Sequence, residues 1–349
     1  MMTGTFTVVP SPRIEELLKT ALAGIAADIG ALELPGLRAV VLGGGYGRGE
    51  GGVLHTETGD ALYNDLDFFV FASGAGRALM NRIDRALREL ARPWTEKLGV
   101  AVDFGPVKNC GTLKKVASTL MFQELLRGWK PVWGTPELEK WIPAADSREL
   151  PFSEAARLLL NRGMGLVFAG ERLRAGDTDA DFIVRNMNKA LLGAGDALLI
   201  AAGEYRWRGP ERVNRFRAWA AEEKLPAEYV ALYEKAFRFK LEPLPVLPED
   251  PGSQWRKCRE FYLDAVRRAA GVRNDADVSR GLSRRAAKEG SLKELLRWAR
   301  RTFGLRPGRA MFEPPVVTLL GRVFGLLAGA EEELPLCPPE LRRLWSVFN

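Results

Sequence analysis

Histidine is nearly absent from this chain of 349 residues: His55 is the only one. Histidine-rich metal centres are thereby excluded. Any mechanism that needs an imidazole base has a single candidate, set in a polar stretch where it reads as a loop residue. Cysteine is scarce as well. Cys110, Cys258 and Cys337 lie far apart, which argues against a disulfide framework or a zinc motif and makes them packing residues in a reducing compartment. No apolar run approaches the roughly 20 residues of a membrane helix. Residues 1–10 lack the basic start, apolar centre and small-residue cleavage site of a secretory signal, so a cytoplasmic location with no membrane partner is expected. No Gly-Lys-Ser or Gly-Lys-Thr occurs, and no His-Arg-Asp, which removes a Walker loop and a kinase catalytic loop.

What is present can bury substantial cores: 46% of the residues are hydrophobic, and the length suits about two domains. The net charge of +7 is unevenly placed, with 16 lysines and arginines against 6 acids between Pro251 and Ala310. A basic stretch joined to a more acidic remainder suits polyanions such as RNA or a nucleoside triphosphate; solvated helix faces are the plainer alternative.

The most informative stretch runs from Leu37 to Asp67. Leu37 to Leu42 reads as a buried strand, closed abruptly by Gly43, Gly44 and Gly45 and continued as Tyr46-Gly47-Arg48-Gly49-Glu50-Gly51-Gly52. Asn64 to Phe71 reads as a second strand on which Asp65 and Asp67 share one face. Gly99 to Phe104 is a third apolar strand pattern broken by one acid, Asp103. Carboxylates gathered on adjacent strands are costly unless a cation or hydrogen bonds meet them, and oxygen ligands suit a hard divalent metal. Turn capping or ion pairing is the alternative for these aspartates. Gly47 to Gly52 also matches G-x-G-x-x-G, but a dinucleotide fold would open directly into an apolar helix, and residues 53–63 are polar without helical periodicity.

Gly44-Gly45-Tyr46-Gly47-Arg48-Gly49-Glu50 followed by Asn64-Asp65-Leu66-Asp67 resembles the DNA polymerase β type nucleotidyltransferase superfamily. Its small bacterial members read Gly-Ser-x-Ala-Arg-Gly-Glu and then Ser-Asp-x-Asp, with a distant third acid. The resemblance covers roughly residues 37–105, with Gly45 where the family has serine and a longer link at residues 51–63 that looks like an inserted loop. It implies an α+β fold, a mixed sheet flanked by helices and followed by an all-α C-terminal domain. It also implies transfer of an NMP from an NTP to a hydroxyl, with release of pyrophosphate. Asp65, Asp67 and Asp103 would hold Mg2+ (or Mn2+), with Asp103 the nearest base. The backbone at Gly44, Gly45 and Tyr46 would cradle phosphates, and Arg48 would add charge unless it pairs with Glu50. In two-domain relatives a helix of the second domain sends a lysine toward the triphosphate, which singles out Lys189. The acceptor is left open as a small molecule, RNA or protein. The alternative, favoured by Gly45, is an inactive nucleotidyltransferase fold whose basic helical half binds RNA or a protein partner.

Along the chain, Ser11-Pro12 opens a helix that ends near Gly30. Residues 74–92 form a helix stopped by Pro93, residues 112–127 another, and residues 128–134 an edge strand. From Pro151 onward only helices are expected: 155–174, 181–205, 210–221, 226–241, 253–270, 278–303, 315–327 and 338–347. The expected division is 1–150 and 151–349, with a proline-rich break at 242–252. Arg185, Asn188, Lys189 and Asp196 lie near one helical face, where a lysine–aspartate or arginine network between helices is the plain alternative. Asn161 and Arg162 form a further polar pair in an apolar helix, equally explained by an interhelical hydrogen bond.

Overall fold

The computed structural model describes residues 5–74, 76–114, 119–287, 315–330 and 333–348. It is a mixed α/β structure with a small mixed sheet and many helices. The chain divides into two compact units: Met1–Ala145 with Arg238–Leu244, and Asp146–Phe237 with Pro245–Asn349.

In the first unit the helix α1 (Pro12–Ala31) starts as its sequence dictates: the Ile14 amide donates to the Ser11 hydroxyl, and Pro12 occupies the first turn, where no amide is needed. Its Ile14, Leu18, Leu22 and Ile25 are fully buried against the sheet. Strand β1 (Leu37–Leu42) pairs antiparallel with β4 (Leu66–Ala72) on one side and with β7 (Lys130–Gly134) on the other. On its far side β4 pairs parallel with β5 (Val102–Phe104) and, further along, with β6 (Lys108–Asn109). The β4–β5 crossover is the helix α3 (Arg77–Leu98), which runs through Pro93. Its apolar stripe Ile83, Leu87, Ala91 and Trp94 continues past the proline, and the Trp94 indole donates to Asp28 at 2.9 Å. That burial outweighs the roughly 3 kcal/mol cost of an interior proline. The expected stop at Pro93 is therefore corrected to Leu98.

Residues 51–63 are corrected from an inserted loop to a hairpin. Strands β2 (Val53–Thr56) and β3 (Gly59–Leu62) pair antiparallel, and Val53 and Leu62 enter the core. The hairpin is tied to the start of α1, where the Ser11 hydroxyl donates to Asp60 at 2.7 Å and Arg13 donates to the Thr58 carbonyl at 2.5 Å. The helix expected over 112–127 is found as α4 (Cys110–Leu113) and α5 (Leu120–Arg127), and one short turn, α6 (Leu138–Trp141), follows β7.

The two faces of the sheet are covered unequally. Leu66, Phe68 and Val70 of β4 join α1 and α3 in the larger core, while Phe69 and Phe71 turn to a smaller cluster with Cys110, Leu113, Phe122 and Leu125.

Among its described residues the second unit has helices and no strand: α7 (Phe152–Arg174), α8 (Ala180–Ala201), α9 (Gly209–Glu222), α10 (Ala227–Leu241), α11 (Pro251–Ala270), α12 (Val278–Ala286) and the helices Pro315–Ala328 and Pro339–Phe348. The last four residues of α10 group with the first unit. The expected helix over 278–303 is seen to Ala286, and residues 288–314, which include much of the basic stretch, lie outside the described residues. Two aromatic side chains dock α11 on α7 by finding backbone acceptors in the core: Tyr262 donates to the Leu159 carbonyl and Trp255 to that of Leu166, both at 2.8 Å. Among the described residues no helix is long and apolar enough to cross a membrane.

The polar face expected on α8 is resolved into separate contacts. Arg185 pairs with Asp181, Asn188 donates to the Val184 carbonyl, and Lys189 is exposed. Asp196 is buried, meeting Arg212 of α9 and Tyr233 of α10. Asn161 accepts from the Trp345 indole at 3.1 Å, an ordinary interhelical bond.

Candidate active site

Strand alternation fixes where the three aspartates go. In β4, Leu66 and Phe68 are buried while Asp65, just before the strand, and Asp67 within it are exposed. In β5, Val102 and Phe104 are buried and Asp103 between them is exposed. The parallel register places Leu66 beside Val102, Asp67 beside Asp103 and Phe68 beside Phe104, and the two phenylalanine rings stack at 4.8 Å. The Asp67 and Asp103 carboxylates thus leave the same face of the sheet, and Asp65 is exposed just before β4. Arg88 of α3, held by Asp84 at 2.9 Å, also feels Asp103 electrostatically; its pKa is raised chiefly by the Asp84 hydrogen bond. Among the described residues no group of three or more His, Cys, Asp or Glu side chains is placed to hold a metal ion as it stands.

The glycine turn lies against this face. Gly43 donates its amide to the Asp67 carbonyl at 2.8 Å, which pins the start of the turn to β4. Gly44 has φ +60°, and a Cβ there would run into the Asp67 carboxylate, so this position needs glycine on both counts. One short helical turn, α2 (Gly44–Gly47), follows. A Cβ on Gly47 would press into the Leu42 backbone carbonyl, which cannot move without dislodging β1. Gly47→Ala is therefore expected to cost about 1–3 kcal/mol, the usual toll of overpacking, read as a lowered denaturant midpoint. A midpoint equal to wild type would contradict the packing described. A Cβ on Gly45 would come 3.3 Å from the Glu50 carbonyl oxygen, so a serine there needs that carbonyl to give by a few tenths of an ångström.

Two residues assigned to phosphate binding have other employment. Tyr46 is fully buried; its hydroxyl donates to the Gly52 carbonyl at 2.8 Å and accepts from the Tyr63 amide at 3.1 Å. Burial pushes its pKa up to about 12. Any part for Tyr46 in a nucleotide site is confined to its backbone. Arg48 pairs with Glu124 at 3.2 Å and lies 3.9 Å from Glu50, which in turn takes Lys240 at 2.6 Å. The guanidinium is thus committed to shaping the turn. Sequence reading missed Lys240 and Glu124, whose only signal is charge, 190 and 74 residues from Glu50.

The hairpin beside the turn holds the lone imidazole. His55 lies across from Asp60, with Nδ1 and a carboxylate oxygen 2.7 Å apart and Nε2 3.6 Å from Glu242. The Asp60 hydrogen bond, more than any other influence, raises the His55 pKa. A raised folded pKa means that this pairing stabilises fully below about pH 6.5 and is lost as pH climbs through the folded value. Asp60→Asn is expected to bring the midpoint down, and proton NMR follows it without ambiguity because there is no other imidazole. An unshifted midpoint would show that Asp60 is not the cause.

The chain was compared with protein-family models, curated proteins and solved structures, and none of them matches.

Proposed function

We propose that the first unit is a metal-dependent nucleotidyltransferase that moves an NMP from an NTP to a hydroxyl acceptor and releases pyrophosphate. The observation that carries this reading is the register of Asp67 beside Asp103, both exposed on neighbouring strands of a mixed sheet, with the backbone of Gly44 packed on Asp67. Like charges placed side by side on neighbouring strands are destabilising. An all-oxygen, all-anionic set of this kind fits a hard divalent cation, and Asp65, Asp67 and Asp103 are the residues that would hold Mg2+ or Mn2+. When bound, the metal would offset the triphosphate charge and lower the pKa of the acceptor hydroxyl.

The chain's own residues supply the rest. Asp103 takes the proton of the acceptor hydroxyl as its oxygen forms a bond to the α-phosphorus and the bond to the bridging oxygen breaks, with pyrophosphate leaving. Gly44 and Gly45 stand in the first turn of α2, where amides lack helical acceptors, so their N–H groups are donors for phosphate oxygens. Arg48 acts one step back, holding Glu50 and Glu124 and through them the shape of the turn.

A second reading has its own observation: Gly45 brings no hydroxyl, and Arg48 is already paired. On that reading the unit keeps the fold without catalysis, and the basic helical half binds RNA or a protein. Isothermal titration with each NTP, with and without Mg2+, separates the two. Metal-dependent NTP binding is the expected result, and its absence would favour the scaffold. Incubation with labelled NTP, metal and a cell extract then shows whether small molecules, RNA or protein take up the label.

A further inference from the structure

The second unit contains a cleft of about 670 Å³ that the reading above does not use. It opens where α8, α9 and α11 end: Ala201 is the last residue of α8 and Ala202 its cap, Glu223 caps α9, and Ala269 and Gly271 close α11. Four arginines line it, Arg267, Arg268, Arg273 and Arg285, against two carboxylates, Glu223 and Asp264.

Three of the four have evident structural work. Arg267 pairs with Asp275, which stands outside the lining, at 2.5 Å, and Arg268 with Asp264 at 2.7 Å. Arg285 donates to the Ala201 carbonyl at 2.8 Å, meeting the negative end of α8. Arg273 is different. It is exposed just past the left-handed Gly271 cap, and it has no ion pair or hydrogen bond among the described residues. A guanidinium brought to a cleft already rich in guanidinium, with no carboxylate of its own, is electrostatically unfavourable until an anion arrives.

We propose that this cleft binds an anion carrying clustered phosphates, with Arg273 as its principal contact. Planar guanidinium groups match phosphate oxygens in pairs, and several of them around one pocket select a polyphosphate over a single carboxylate. The volume lies within the range of small-molecule sites and accommodates a nucleoside triphosphate or a bare tripolyphosphate.

The test is isothermal titration of the full chain with tripolyphosphate and with ATP, in low salt and EDTA. Wild type is expected to bind, and Arg273→Glu to weaken binding by about tenfold or more, with Arg273→Lys retaining most of it. Circular dichroism checks that the exposed position leaves the fold unaltered. Asp67→Asn, in the other unit, is expected to bind as wild type does. Tighter binding of ATP than of tripolyphosphate identifies a nucleoside ligand, and equal binding a bare phosphate chain. The proposal is overturned by no binding of either anion, by binding that survives Arg273→Glu, by loss in Asp67→Asn, or by affinity confined to long RNA.

Discussion

Asparagine in place of Asp67 or Asp103 is expected to reduce nucleotide incorporation by about 10²–10⁴-fold, the range for loss of a group that works on a proton or a metal in the transition state. The same variants should melt near the wild-type temperature. Both side chains are exposed and the substitution leaves their size unchanged, so no cavity results. The pairing of outcomes is what makes the test sharp. Activity retained in either variant would sink the proposed function, because no other acid shares that register. Activity lost along with a large drop in melting temperature would make the aspartates structural and count equally against it.

The largest stability effect is expected in the second unit. Asp196 and Arg212 are both nearly inaccessible, their side chains 11% and 3% exposed. The Arg212 Nε sits 3.0 Å from Asp196 Oδ1 without the alignment of a hydrogen bond. Nη1 of the same guanidinium donates to the Tyr205 hydroxyl at 2.8 Å and to the Arg206 carbonyl at 3.0 Å. Tyr233 donates its hydroxyl to Asp196 at 2.6 Å, and burial raises the pKa of that phenol well above its usual value. Arg212→Ala strands a carboxylate in a dry core and is expected to cost about 3–5 kcal/mol. Tyr233→Phe removes one hydrogen bond from an ion that keeps its arginine partner and should cost about 1–3 kcal/mol. Replacing the pair together, Asp196→Leu with Arg212→Met, should recover most of the loss, since two well-packed apolar groups stand in for two buried charges. Chemical denaturation of the four proteins measures this directly. A loss under about 1 kcal/mol for Arg212→Ala would show that water reaches Asp196.

Local patterns made the strand that carries Asp67 readable in advance. The alternation of Asp65, Leu66, Asp67 and Phe68 has the period of a half-buried strand, so the face of each aspartate followed from one neighbour on each side. The helices of the second unit were readable for a similar reason, as their apolar stripes run for several turns. The hairpin at 53–62 was hidden because its strands are four residues long and send only Val53 and Leu62 inward. Pro93 misled because local propensity was set against a buried stripe that reaches Trp94, and tertiary packing prevailed. Arg48 was read as adding charge to the turn unless it paired with Glu50, and its nearer partner, Glu124, lies 76 residues away. Here the turn folds back on itself: Tyr46 fills the space that Gly51 leaves, and Arg48 packs against Gly128. The partners of Asp196 lie 16 and 37 residues away on other helices, and no spacing rule reaches that far.

One closure in the first unit has a bearing on biosynthesis. Glu50, nearly sealed from solvent, is met by Lys240, and the residues around Lys240 group with a unit whose other members end at Ala145. Nearly a hundred intervening positions must be translated before that charge finds its counter-ion. On the ribosome the amino-terminal part can collapse early but can finish only late, with a loop-closure entropy that a shorter link would not incur. A fragment released after residue 145 lacks the Lys240 ammonium and keeps Arg48, 3.9 Å away, beside its buried glutamate.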